Sequence, residues 1–240
     1  MAQLLIDGLA VEVTRKRVRY LRLSVHMPDG QVRLSVPWGT PEAAIRTMVA
    51  ARLAWIHKQQ AIFRARVPAL VLAYAAGETH YYQGRPYELR LPAHAGRPRV
   101  VLAEAGFLDL YAPAEATPAQ RAQVLAAWYR AQLKAQVPAL LAKWEPVVGA
   151  QANAWGIKQM RTRWGTCSIR AKRIWLNLEL IKRPLPCLEY VVVHELVHLH
   201  ERLHNARFWG LVGQAMPDWQ ARQRELNQGA PTPLPGHEVD

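Results

Sequence analysis

Residues 185–198 read Leu-Pro-Cys-Leu-Glu-Tyr-Val-Val-Val-His-Glu-Leu-Val-His, a nearly unbroken apolar run that ends in two histidines and a glutamate. Pro184 and Pro186 stop the preceding strand and open a helix. A helix this apolar on all faces has to be buried. Its last turn carries His194, Glu195 and His198, the H-E-x-x-H pattern. Residues four apart on a helix point about 40° from each other, so both imidazoles leave one face and can share one metal ion. Glu195 stands beside the first histidine, where its carboxylate reaches a water on that metal and takes its proton. A buried helix ending this way suits a metal site at the floor of a cleft, which needs a rigid and partly dry support.

A third ligand is sought among the residues that follow. His204 lies ten positions after His194, the spacing of metzincin-type zinc sites. On a continuous helix that separation is about 15 Å, far beyond a Zn–N bond of about 2.1 Å. The helix therefore has to end between Leu199 and His204, and the chain has to fold back. Metzincins turn there on a glycine, whereas Glu201 occupies the position here. Asn205 is placed to cap the next helix, which would leave His204 in the corner between two helices. Glu201, seven residues after His194, is the competing ligand, or else an outer partner that orients an imidazole. His200 points away from both helical histidines and reads as an ordinary polar or packing residue.

With 240 residues, 50% of them apolar and 20% charged, the chain has enough material for one substantial core or two small ones. No signal peptide or membrane span is visible, since the N-terminus turns acidic at Asp7 and the longest apolar stretch, 67–76, is broken by Pro68. Cys167 and Cys187 make neither a disulfide framework nor a C-x-x-C pair, so a reducing cytoplasm is the expected location. The net charge of +13 is uneven, with eleven basic and four acidic side chains in residues 1–66. A basic surface of this kind allows an anionic ligand, nucleotide or nucleic acid, as a partner, although a solvated basic face alone also accounts for it.

Residues 17–37 read as a β-hairpin: Leu21, Leu23 and Val25, then a Met27-Pro28-Asp29-Gly30 turn, then Val32, Leu34 and Val36. Thr40-Pro41 opens a helix expected to reach about Arg64. Strands are expected near 87–91, 100–102 and 107–111, and Thr117-Pro118-Ala119-Gln120 is a capping box that starts a helix running toward Gly149, bent at Pro138. Ile174, Leu176, Leu178 and Leu180 alternate with polar residues and predict a half-buried strand over 174–181. Phe208, Trp209, Val212 and Met216 mark an amphipathic helix ended by Pro217, and a last helix is expected at 219–226. Residues 228–240, rich in Pro and Gly, read as a disordered tail.

Taken together, Arg161-Thr-Arg-Trp-Gly-Thr-Cys-Ser168, Leu176-Asn177, Tyr190-Val-Val-Val-His-Glu-Leu-Val-His198, His204-Asn205 and Phe208-Trp209 resemble the YgjP-like metallopeptidase domain family, related to the WLM and SprT-like zincins. The family commonly has Ser where Asn205 stands, and both residues cap helices. The resemblance implies an α+β, zincin-like fold: a small mixed sheet, an active-site helix carrying H-E-x-x-H, a following helix that returns the third ligand, and an N-terminal β-hairpin region. It implies one domain over 1–227, β-rich to about 115 and helical with the zinc site from about 116. It also implies Zn2+ held by His194, His198 and His204, with Glu195 catalytic.

Two hydrolytic readings follow. As a metallopeptidase, the chain would use a zinc-bound water activated by Glu195 to cleave a peptide or protein substrate, with the 174–181 strand adding an extended substrate if it is a sheet edge. Some relatives are described as nucleoside triphosphate pyrophosphatases acting on UTP, and for that chemistry Arg161, Arg163, Arg170, Lys172 and Arg173 would hold the phosphates. A non-catalytic, metal-stabilised binding module is a third reading. Fold and family do not choose among substrates, and nothing in the sequence sets the oligomeric state.

Overall fold

The computed structural model describes residues 2–26, 30–65, 72–93 and 96–228. Two compact units make up the chain, Met1–Val71 and Leu72–Asp240. The division expected near residue 115 falls inside the second unit, between its first sheet and a long helix. Among the described residues the architecture is α+β, with three small sheets and six α-helices, none of them long and apolar enough to cross a membrane.

In the first unit β1 (Ala2–Ile6), β2 (Leu9–Lys16), β3 (Arg22–His26) and β4 (Gln31–Pro37) form a mixed sheet in the order β1-β2-β4-β3. Asp7 and Gly8 both have positive φ (48° and 79°), the two-residue turn that closes a tight hairpin, and Ile6 pairs with Leu9 across it. The inward residues Val11, Val13, Val32, Leu34 and Val36 are buried against Ile45, Val49 and Ile56 of α1 (Glu42–Ala50) and α2 (Leu53–Ala65). The expected hairpin is present as the antiparallel pair β3/β4, although residues 17–21 precede the strand and turn residues 27–29 lie outside the described residues. The single helix expected from Pro41 to Arg64 is instead two. At Arg52 the backbone N–H bonds to Val49, three residues back, and the ladder restarts beyond it with no Pro or Gly to mark the break.

The second unit opens with β5 (Thr79–Tyr82), β6 (Arg85–Arg90), β7 (Arg99–Leu102) and β8 (Phe107–Tyr111), ordered β5-β6-β8-β7. Next comes α3 (Pro118–Val148), whose capping box forms as read: Thr117 Oγ1 accepts from the Gln120 N–H at 3.3 Å, and the Thr117 N–H donates to Gln120 Oε1 at 2.8 Å. The helix passes through Pro138 and Pro146 and ends on Gly149 at φ 69°. β9 (Ala154–Lys158), β10 (Gly165–Ser168) and β11 (Arg173–Asn177) form a third sheet in the order β10-β11-β9. Then follow α4 (Leu185–Val197), α5 (Ala206–Ala215) and α6 (Trp219–Gln228); residues 229–240 of the expected tail lie outside the described residues.

The strand expected over 174–181 needs correction. β11 stops at Asn177, and Leu178–Lys182 is a 3-10 turn that buries Leu178, Leu180 and Ile181. Asn177 Oδ1 accepts from the Glu179 N–H at 3.2 Å and starts that turn. Apolar residues at every second position imitate a strand there, but the side-chain cap wins locally. β11 is also the central strand of its sheet, so the edges are β10 and β9.

α4 is the hub of the second unit, with every residue from Cys187 to Val197 buried. One carboxylate ties it to its neighbours: Glu189 accepts from Lys143 Nζ of α3 and Arg222 Nη1 of α6, both at 2.7 Å. Burial works against ionisation of Glu189, but the two cationic donors outweigh it and hold the carboxyl below its ordinary value. A lowered carboxyl pKa stabilises the fold above the unfolded value of about 4.3, and that contribution is lost as pH falls through the folded value. Glu189→Gln should therefore cost about 2 kcal/mol at pH 7, seen as a drop of about 4–8 °C in Tm. Between pH 5 and pH 3 its Tm should fall less steeply than that of the parent protein in thermal melts.

Candidate metal centre and cleft

The last turn of α4 brings its polar residues out at one end of an otherwise apolar helix. His194 and Glu195 are helical, and His198 is the C-cap. Tight bonds then close the helix, His200 N–H to Val197 O at 2.9 Å and Glu201 N–H to Val197 O at 3.1 Å. The chain folds back, and Asn205 caps α5 by accepting from the Phe208 N–H at 3.0 Å. This return carries His204 to the helical pair, with His204 Nε2 3.0 Å from His194 Nε2. One ring nitrogen from each of His194, His198 and His204 lies within 4.8 Å of the others.

Those spacings suit a single ion. Ligands about 2.1 Å from a tetrahedral metal sit about 3.4 Å from one another, close to what the rings already show. His198 Nδ1 donates to the Glu201 carbonyl at 3.1 Å, which leaves Nε2 as the free lone-pair donor, the usual arrangement of a ligating imidazole. Burial lowers the His198 pKa, with nearby His204 acting in the same direction, and this favours the neutral form a metal needs. The Glu201 carboxylate is used elsewhere, accepting from the Leu203 N–H at 3.1 Å, so it is the Glu201 backbone that meets an imidazole. His200 turns away and donates from Nε2 to the Val148 carbonyl at 3.0 Å.

A ring of aromatic contacts holds the three imidazoles. The Phe208 ring lies 4.9, 4.6 and 4.7 Å from those of His194, His198 and His204. Trp209 stacks on His204 at 5.7 Å and on Trp219 at 4.6 Å. The sequence placed Phe208 and Trp209 on an amphipathic helix, but periodicity alone does not show that the apolar face is the backing of three ligands.

Glu195 is buried at 4% exposure, and its Oε2 has no hydrogen-bond partner among the described residues. Burial pushes its carboxyl up to about 8, with the Arg163 charge pulling back. Directly over it lies Gly165, the first residue of β10: a Cβ there would strike the Glu195 carboxylate and come within 2.8 Å of its Cγ and Cδ. Buried Asn177 holds the loop that leads to this glycine. Its Nδ2 donates to the carbonyls of Met160 (2.9 Å) and Arg163 (2.7 Å), and its own N–H donates to the Trp164 carbonyl at 2.8 Å. Neither role was legible in the sequence, where Gly165 and Asn177 stood out only as parts of a shared pattern.

Around these residues opens a cavity of about 1010 Å³, with 162–170 as one wall and Tyr190, Val191 and the three histidines as floor. Of the five cations considered for phosphate binding, Arg163 and Arg170 line it, joined by Arg202; Arg161, Lys172 and Arg173 do not. Cys167 also faces the cleft, but burial and the Glu195 charge push its thiol up to about 12, so it stays protonated near neutrality. Cys187 is buried, and both cysteines are free.

The family model for the YgjP-like, metallopeptidase domain matches residues 19–229. The chain belongs to this family. Its members carry a metallopeptidase domain, so the YgjP-like chain is a metallohydrolase of the metallopeptidase kind, and the histidine triad is a cluster able to hold a metal. Among solved structures it is similar to the metallopeptidase zymogen abylysin of Pyrococcus abyssi, at 24% identity over 37% of this chain and 88% of that one, with a TM-score of 0.34. No curated protein matches it.

The close approach at Gly165 yields a direct test. Gly165→Ala should force the Glu195 carboxylate aside and lower kcat by roughly 100-fold, the scale of a 1 Å misplacement. Bound metal, measured by elemental analysis, should stay at the parental level. A Gly165→Ala protein with parental turnover would remove this contact from the account of the site.

Proposed function

We propose that this YgjP-like protein is a zinc-dependent, zincin-like metallopeptidase in which His194, His198 and His204 hold the ion and Glu195 is the general base. The observation that supports this most is the convergence of three imidazole nitrogens within 4.8 Å, with the buried Glu195 one residue from the first of them. Three neutral imidazoles around an open position form the donor set of catalytic zinc. When bound, such an ion supplies a Lewis acid that polarises a carbonyl and brings the pKa of a coordinated water toward neutrality.

The chain's own residues do the rest. Glu195 accepts the proton of the attacking water and returns it to the leaving amine, and Gly165 above it fixes where its carboxylate sits. The wall of the cleft includes β10, an edge strand that among the described residues is paired only on its β11 side. Its free backbone groups can pair with an extended peptide, so the strand addition expected at 174–181 is assigned to 165–168. Phe208 and Trp209 exclude water behind the imidazoles and keep their rings from turning.

A second reading keeps the same metal and base but takes a nucleoside triphosphate. Arg163, Arg170 and Arg202 on the cleft wall favour it, and no carboxylate lies in ion-pair range of Arg170 or Arg202 among the described residues. The two readings part in a side-by-side assay of the zinc-loaded protein on casein-like peptides and on UTP.

His194→Ala, His198→Ala and His204→Ala should each abolish stoichiometric zinc binding, whereas Glu201→Gln should weaken it no more than about 10–100-fold. Glu195→Gln should retain about one zinc per chain while turnover falls by roughly 100-fold or more. Peptide cleavage lost in Glu195→Gln and on chelation supports the peptidase. UTP hydrolysis meeting both conditions, with peptides untouched, would establish the second reading. If neither activity responds, the site is structural.

A further inference from the structure

Within the first unit, one end of the sheet concentrates charge and exposed aromatic surface that the hydrolytic site does not use. β2 runs parallel to β4, with Lys16 opposite Pro37, and β3 begins antiparallel to β4 with Arg22 opposite Ser35. The link from β2 to β3, residues 17–21, therefore arches over the C-terminal end of β4, where Trp38 leaves the sheet. Arg15 ties the two together by donating from Nη1 to the carbonyls of Trp38 (2.9 Å) and Thr40 (2.8 Å). Five of the eight residues 15–22 are Arg or Lys, and all eight are exposed.

Nothing acidic compensates this arch among the described residues. Glu12 is paired with Arg33 at 3.0 Å and Glu42 with Arg46 at 2.7 Å, while Asp7 lies in the β1–β2 turn at the opposite end of β2. Two large rings stand beside the cations, Tyr20 at 71% exposure and Trp38 at 70%, and the Arg19 guanidinium sits 5.4 Å from the Tyr20 ring centre. The aliphatic contribution is slight, Val18 and Leu21 being only 37% and 40% exposed. Flat, exposed rings among uncompensated cations suit a partner with both a phosphate backbone and open π-faces, whereas insertion into lipid would need more aliphatic surface.

We infer that this basic, aromatic arch binds single-stranded nucleic acid, with Tyr20 and Trp38 stacking on unpaired bases and Arg15, Lys16, Arg17, Arg19 and Arg22 contacting the phosphates. Stacking on any base face makes the site tolerant of sequence. Base pairing hides those faces, so duplex is disfavoured.

Fluorescence anisotropy with the zinc-loaded full chain and fluorescein-labelled dT12 and rU12 tests this. Binding should be measurable at 50 mM NaCl and weaken toward 200 mM, with a log–log slope of about −0.7 for each phosphate contacted. Trp38→Ala and Tyr20→Ala should each lower affinity roughly 10-fold, and both leave the core untouched because the rings are exposed. Arg17→Gln with Arg19→Gln should lower both affinity and salt slope, and a duplex 12-mer should bind more weakly than either strand. No binding at 50 mM NaCl would overturn the inference. So would affinity unchanged in Trp38→Ala and Tyr20→Ala, which would leave charge attraction alone, or retention on phosphatidylserine vesicles with no binding to either oligonucleotide.

Discussion

Everything at the cleft depends on one constraint: α4 has no polar face, so it has to be enclosed on every side. Fully burying a Val or Leu side chain is worth about 1.5–3 kcal/mol, and α4 buries Leu188, Val191, Val192, Val193, Leu196 and Val197 together. That sum exceeds the cost of the unbonded polar groups on the helix, about 1–3 kcal/mol each. The surrounding elements are arranged to enclose it. α3 and α6 grip it through Glu189, β10 and β11 pack along it, and the β5–β6 turn closes on its entrance, where the Gln83 and Gly84 N–H groups donate to Ile181 (2.9 Å) and Lys182 (3.0 Å). The proposed site is thus built on a helix buried from Cys187 to Val197, the kind of support that a site with sub-ångström tolerance requires.

Rigidity of the helix would not by itself position a ligand ten residues away. The return of His204 rests on two local devices, the tight closure of the helix on Val197 and the Asn205 cap of α5. Between them they use the orphan polar groups that two facing helix ends would otherwise leave, so the corner holds its shape without a glycine. This explains how Glu201 can stand where a metzincin has Gly. The turn here closes through right-handed, hydrogen-bonded backbone and needs no left-handed residue, since none of 198–205 has positive φ.

What was legible in the sequence followed from short-range rules. The capping box at Thr117, the buried apolar helix, the shared helical face of His194 and His198, and the fold-back that brings in His204 all depend on residues within about ten positions of each other. The misreadings have local causes too. Leu178, Leu180 and Ile181 alternate like a strand, yet Asn177 caps a 3-10 turn, and nothing in residues 41–64 announces the break at Arg52. Strands β1, β5, β9 and β10 were missed because each has five residues or fewer, and β2 was missed although Leu9, Val11 and Val13 alternate with outward residues. The long-range features were invisible for another reason. That Gly165 lies on Glu195 depends on β10 meeting α4 at a separation of 30 residues, and that Phe208 backs three rings depends on how α5 docks against α4 after the chain folds back.

The same enclosure that makes the site rigid also strains it electrostatically. Glu195 sits at the end of a buried helix with one carboxylate oxygen unbonded, and burial raises its pKa far above that of a solvated glutamate. A polar group so placed costs about 1–3 kcal/mol, comparable to what one of the neighbouring valines contributes. A sequence selected only for stability would place an apolar residue there and let a side chain fill the space above Gly165. Instead the glycine removes its own side chain, Asn177 spends three side-chain hydrogen bonds fixing the loop that carries it, and the carboxylate is left facing a cavity lined by three imidazoles. Local cost without local compensation is expected of a preorganised functional group, and it supports the role proposed for Glu195. Arg163, whose charge pulls the Glu195 pKa back down, belongs to that same stapled loop. Loop position, carboxylate position and carboxylate basicity are therefore coupled through Asn177, although Asn177 itself touches neither the histidines nor the cleft.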